Sequence, residues 1–222
     1  MEKNINEYID HTILKRDVLT KEIDQAVSDA IKYKFKGLCI APFWISHVKE
    51  KLHQNNILVV TVIGFPYGQQ SMKVKGCEAK RAMKDGADEL DFIINASKVH
   101  EKDQEYLKKE LAFLRKVTKG KTIKLIIETG LLNQEEKIFA TKLGVEAGFD
   151  FIKTSTAVNT TGATVEDVKL MKEVINGRAK IKASGGVRTL KQAQELIKSG
   201  ADRIGTSNGI DIVKGLEGRN EY

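Results

Sequence analysis

Eight short apolar runs, rich in β-branched residues, recur along the chain and limit the architectures open to it. They are YIDHTIL (8–14), GLCIAP (37–42), LVVTVIG (58–64), ELDFIIN (89–95), IKLIIET (123–129), FIKTST (151–156), AKIKASG (179–185) and RIGTSN (203–208). Each is too short for a buried helix and reads as a strand. The two prolines, Pro42 and Pro66, stand at or just after the ends of such runs, where strands end. The stretches between have helical period. In 164–175, Val165, Val168, Met171 and Val174 share a stripe, and Thr164 with Asp167 resembles a capping box. In 189–200, Leu190, Ala193, Leu196 and Ile197 face one way, with Thr189 as N-cap and Gly200 at the stop. Strand and helix alternating eightfold predict an α/β chain folded as a single-domain TIM (β/α)8 barrel over residues 1–222, with a short polar tail from about 215. An open doubly wound sheet is the alternative. It more often carries a G-x-G-x-x-G turn after its first strand, and the sequence has none.

A length of 222 residues suits one such domain, and 41% hydrophobic with 30% charged residues argues against disorder. The net charge of +7 admits a nucleic acid or a small anionic substrate as partner. Only seven of the 37 basic residues are arginine, the better fork for phosphate and bases, and the lysines are spread over predicted helix faces. A small anion is therefore expected and nucleic acid is not. No apolar run approaches the roughly 18 residues of a membrane span. The N-terminal MEKNINEYIDHT lacks an apolar leader core, so a cytoplasmic protein is expected. Cys39 and Cys77 lie in or near apolar stretches, and neither a disulfide framework nor a metal site is expected.

A weak internal repeat points to the interior. GADELD (86–91), GFDFIK (148–153) and GADRIG (200–205) each follow a helix and open a strand. Aligned on the glycine, Asp91, Lys153 and Gly205 are equivalent, on strands four, six and eight. Alternate strands of a barrel fill the same interior layer. Asp91 and Lys153 are thus expected inward at one level, with Gly205 leaving space. Lys182, in AKIKASGG, falls on the next strand and would bring a second ammonium alongside. Free lysine titrates near 10.4, so about 1 in 2500 is neutral at pH 7. A nucleophilic lysine needs about 4 kcal/mol of bias against its charged form, which a neighbouring cation in an apolar interior can supply. Such an amine attacks carbonyls to form Schiff bases. A structural pairing of Lys153 with Asp91 is the plainer reading of one buried lysine, but it has no use for a second buried cation. Asp91 can balance charge or shuttle protons, and Asp10, on the first strand in IDHT, is a candidate supporting carboxylate.

Glycines and hydroxyl residues gather at the ends of the last two strands, in SGG (184–186) and GTSNG (205–209), where barrels often hold phosphate. The loop AVNTTGAT (157–164) offers further hydroxyls. The four histidines show no ligand spacing. His11 lies near the site in sequence but reads as structural; Phe43 and Trp44 either wall the pocket or pack a helix.

The segments IDHT, VTVIGFPYG, GADELDFIIN, KLIIETG, DFIKTST and KASGGVRT together resemble the 2-deoxyribose-5-phosphate aldolases, over nearly the whole chain. The resemblance implies a class I aldolase barrel, a homodimer without metal or cofactor. It implies cleavage of a small phosphorylated sugar, 2-deoxyribose 5-phosphate, to glyceraldehyde 3-phosphate and acetaldehyde. It makes Lys153 the Schiff-base lysine, Lys182 the neighbour that activates it, Asp91 the proton donor or acceptor and Asp10 a supporting carboxylate. Gly185, Gly186 and Ser207 fall where the family binds phosphate, and Asn208 and Thr154 join them as candidates. The sequence departs from the family pattern at Ala157, where many relatives have glycine after KTST, and at Asn208, where many have serine. Tyr222 ends a polar tail long enough to reach the barrel mouth, though a disordered tail is the expectation.

Overall fold

The structure, a computed structural model, describes residues 4–216. All eight predicted strands form: β1 (Ile9–Ile13), β2 (Gly37–Ile40), β3 (Leu58–Ile63), β4 (Glu89–Ile93), β5 (Thr122–Ile126), β6 (Phe151–Lys153), β7 (Lys180–Ser184) and β8 (Arg203–Thr206). They pair in parallel in chain order, and β1 closes on β8 through Ile9 with Ile204 and Asp10 with Gly205, making a complete barrel. Around it lie α1 (Thr20–Tyr33), α2 (Ile45–Lys51), α3 (Met72–Asp85), α4 (Ala96–His100), α5 (Gln104–Val117), α6 (Gln134–Glu146), α7 (Val165–Ile175), α8 (Leu190–Ser199) and α9 (Gly209–Lys214). The predicted tail falls mostly on residues 217–222, Tyr222 included, and so lies outside the described residues.

The α8 prediction holds in detail. Thr189 Oγ1 accepts from Gln192 N, Ala193 and Leu196 are buried, and Leu190 and Ile197 pack against the core. In α7 the stripe turns slightly. Thr164 caps as expected, but Ile175 rather than Val174 completes the buried row with Val168 and Met171. Asp167 does not reach back to close a capping box; it pairs instead with Lys137 at 2.6 Å. The fourth unit carries two helices where one was expected. Asn95 caps α4, Lys102 turns the chain at φ 52°, and Asp103 caps α5 anew.

The aspartates of the internal repeat have a structural role that the alignment left unexplained. Asp88, Asp150 and Asp202 each accept, 2.8–2.9 Å away, a backbone N–H near the start of the preceding strand, from Val59, Ile123 and Ile181. Each thus fixes the register of an even strand on its odd neighbour.

The main apolar core lies between sheet and helices. The barrel interior is divided differently. On the β2–β3 side Cys39, Val60 and Val62 form a separate apolar cluster. The remaining wall is ionic, and the candidate site is built there.

Candidate active site

Residues two apart on a strand share a face. Glu89 and Asp91 of β4, Lys124 of β5, Lys153 of β6, Lys182 of β7, Arg203 of β8 and Asp10 of β1 all turn inward and all are buried. Lys153 and Lys182 are directly paired across β6 and β7, as are Asp91 and Lys124 across β4 and β5. Asp91 Oδ2 accepts from both Lys153 Nζ and Lys182 Nζ at 2.9 Å, and its Oδ1 accepts from Lys124 Nζ at 2.7 Å. Lys124 also contacts Glu89 at 2.6 Å, and Lys182 donates to Asp10 Oδ2 at 2.6 Å. Arg203 spans Asp10, at 2.7 Å, and Glu89, at 3.2 Å. Small residues make the room. A Cβ on Gly37 would lie 2.7 Å from Asp10 Oδ1, and one on Gly205 would meet Lys182 Cε at 3.1 Å. The space expected at Gly205 is thus occupied by the Ser184 side chain and the end of the Lys182 side chain.

The four predicted polar residues therefore meet, but not in the apolar surroundings anticipated for the lysine pair. Lys124, Glu89 and Arg203 join them, and none of these three was singled out from sequence. With every group ionised, four cations face three carboxylates, leaving one positive charge in excess. A closed barrel cannot hold several bare ammonium groups, so the network is the condition for burying any of them. Burial by itself would raise Asp91, yet the ammoniums of Lys124, Lys153 and Lys182 outweigh it and hold the carboxyl well below the usual range. Asp10 is likewise held down, by Lys182 and Arg203 against its burial. Lys182 is pushed the other way: Asp10 and Asp91 overcome its desolvation and raise it, so it stays an ammonium. Phe151, the repeat equivalent of Glu89 and Arg203, caps the network below, with the Arg203 guanidinium 5.4 Å and Lys124 Nζ 5.8 Å from its ring centre.

Above this layer, at the C-terminal ends of the strands, is a cavity of about 300 Å³. Gly185, Gly186, Ser207 and Asn208 line it as expected, and so does Arg188, which the sequence reading did not single out. Thr154 does not line it. Its hydroxyl donates to Ser184 O and accepts from Ser184 N, tying β6 to β7. Ala157 and Thr160 complete the wall from the β6 loop. Ala157 sits at φ 65°, the left-handed region that costs least with glycine, which gives the family's glycine there a physical reason.

Glu128 organises that loop. It follows β5 with φ 57°, is 4% exposed, and accepts from Thr156 N at 3.1 Å, from Thr156 Oγ1 and from Thr160 Oγ1 at 2.8 Å. Its neighbours donate to β6, Ile127 N to Lys153 O and Thr129 N to Thr154 O. These hydrogen bonds offset the cost of its left-handed backbone. His11 points away from the site, stacked 5.1 Å from Phe35, and burial pushes it down to about 4. Phe43 is 84% exposed and Trp44 packs against the core; neither lines the cavity.

Among known proteins, residues 5–215 match the family described as DeoC/LacD family aldolase. A deoxyribose-phosphate aldolase of Finegoldia magna is 50% identical over 211 residues, 95% of this chain and 99% of the relative. A solved structure described as QR15, an aldolase, superposes with a TM-score of 0.91 at 39% identity, covering 95% of this chain and 94% of its own. The deoxyribose phosphate aldolase of Aeropyrum pernix, described as a tetramer, superposes with a TM-score of 0.88 at 28% identity, covering 95% and 89%. A match of this extent, on a closed barrel with buried lysines at its centre, places the chain in the DeoC/LacD family of aldolases.

Proposed function

We propose that Lys153 is the Schiff-base nucleophile of a deoxyribose-phosphate aldolase, and that the cavity above it takes the substrate phosphate. The reaction is the reversible cleavage of 2-deoxy-D-ribose 5-phosphate to D-glyceraldehyde 3-phosphate and acetaldehyde. One observation carries the assignment. Among the described residues, Lys153 is the cation of the network with a single carboxylate partner, shared with Lys182, while Lys124, Lys182 and Arg203 each have two. Loss of the Lys153 proton brings the network to neutrality. Its side chain also keeps 5% exposure, against none for Lys124 and Lys182.

The free amine attacks C1 of the open-chain sugar, and loss of water leaves an iminium. Breaking C2–C3 sends its electron pair into that iminium as the C3 hydroxyl gives up its proton and becomes the aldehyde of glyceraldehyde 3-phosphate. The remaining enamine takes a proton at C2, and water releases acetaldehyde. Asp91, ionised in the resting network and in contact with Lys153, balances the iminium charge. Lys182 and Asp91, linked at 2.9 Å, are the groups placed to pass protons through water. Gly185, Gly186, Ser207, Asn208 and Arg188 hold the phosphate, with Thr154 bracing the strand that leads to them. The same reading carries a homodimer in the cytoplasm; no helix among the described residues is long and apolar enough to cross a membrane.

The test is release of acetaldehyde from 2-deoxyribose 5-phosphate. A ketose-phosphate aldolase or transaldolase, the competing Schiff-base chemistry, would instead prefer a dihydroxyacetone-type donor over acetaldehyde in synthesis. Lys182→Leu is expected to move the pH optimum of turnover upward, because the network then starts neutral and losing a proton leaves it negative; an unmoved profile contradicts this role. Glu128→Ala is expected to raise KM for the phosphorylated sugar about tenfold by loosening residues 156–160, with a smaller change in kcat. Steady-state kinetics separate the two.

A further inference from the structure

Resting on the reading above, we propose that the Ser184 hydroxyl binds the C4 hydroxyl of the sugar phosphate and makes the enzyme selective for substrates that carry it. Ser184 ends β7, two residues beyond Lys182, and so shares its inward face. Gly205, its partner on β8, confirms the direction: a Cβ there would collide with Ser184 Oγ and also meet Lys182 Cε. Gly205 and Gly185, the residue after Ser184, both line the phosphate cavity. Ser184 thus stands between the lysine layer and the anion cavity.

Its hydroxyl is an anomaly there. The residue is 6% exposed, and Oγ has no hydrogen-bond partner among the described residues. Buried hydroxyls rarely remain so, and one flanked by two residues of the anion cavity, Gly185 and Gly205, has the substrate as its natural partner. Ser184 is not loosely held either. Its backbone N–H and carbonyl are both engaged by Thr154 Oγ1, at 3.0 and 3.1 Å, which fixes the backbone and the direction of its Cα–Cβ bond. A sugar phosphate bound through C1 to Lys153 and through its C5 phosphate to Gly185 and Gly186 has C3 and C4 between them. A serine immediately before Gly185 faces the carbon next to C5. The C3 hydroxyl must become a carbonyl during the reaction, whereas the C4 hydroxyl persists into glyceraldehyde 3-phosphate and can be gripped throughout.

The experiment compares kcat/KM for 2-deoxyribose 5-phosphate and for its 2,4-dideoxy analogue, which lacks only the C4 hydroxyl, in wild-type protein and in Ser184→Ala. The preference for the hydroxylated substrate is expected to fall about tenfold in the variant. The thermal midpoint is expected to stay or rise, since the methyl replaces a hydroxyl with no partner to lose. An unchanged preference overturns the inference, whether or not the midpoint drops. As a second measurement, the variant should lose discrimination between D- and L-glyceraldehyde 3-phosphate in synthesis with acetaldehyde, and full retention of it counts against the inference. Failure of the underlying mechanism reads out separately, as wild-type protein that forms no acetaldehyde adduct on Lys153.

Discussion

Lys153→Leu is expected to abolish turnover while leaving thermal stability unchanged or higher. The loss of activity follows from removing the nucleophile and should be at least about 10⁴-fold. The stability result is less intuitive and more informative. Lys153 is fully enclosed apart from a sliver of its side chain, and burying an ammonium is costly. Its compensation is one 2.9 Å contact to an oxygen that Lys182 already uses. Leucine removes the excess positive charge and fills much of the same volume. Asp91 keeps Lys124 and Lys182, so no carboxylate is stranded. A reactive group held at the expense of the fold is the usual sign of a catalytic position. Thermal melts with activity assays check both halves; a midpoint several degrees lower would show that Lys153 is a structural ion-pair partner.

Asp91→Asn is expected to damage both. The amide keeps the shape but not the charge, and one of the two oxygens that accept from three buried ammoniums becomes a donor. Breaking a buried ion pair from one side costs about 3–5 kcal/mol, about 10 °C in a domain of this size. Catalysis should fall about 10²–10⁴-fold with the loss of the counter-charge and proton path. The pH dependence gives a further check. Asp91 and Asp10 lie below their ordinary 3.8 in the folded protein. The stability they contribute is therefore complete above that value and disappears as pH falls below it, through the folded-state values. Lys182 and Arg203 are raised above their ordinary values, so their contribution is present at neutral pH and fades only in strong alkali. Asp91→Asn should accordingly be less stable at pH 7 but show a shallower further loss between pH 4 and pH 2, measured by denaturant unfolding.

The architecture was legible because barrel periodicity is local: short β-branched runs, helical stripes and capping threonines all lie within a few residues of one another. The repeat even gave the level of Asp91 and Lys153, since alternate strands share layers. Lys124, Glu89 and Arg203 escaped because a charged residue in a strand reads as outward until the register of its neighbours is known. The signal was present as spacing by two, Glu89 with Asp91 and Arg203 with Gly205. Only closure of the sheet brings Asp10 to Lys182, 172 residues away. Thr154 was misplaced for a related reason. A hydroxyl beside the reactive lysine looks like a ligand until the strand next to it consumes both its donor and its acceptor. Glu128 gave little warning, because its role depends on a left-handed turn that its residue type does not announce.

Borohydride reduction in the presence of acetaldehyde, followed by peptide mass mapping, addresses the reactive amine directly. The account predicts a single ethyl adduct, on Lys153, absent from Lys153→Leu protein. An adduct centred on Lys182 or Lys124, or labelling that persists undiminished in Lys153→Leu, would contradict it.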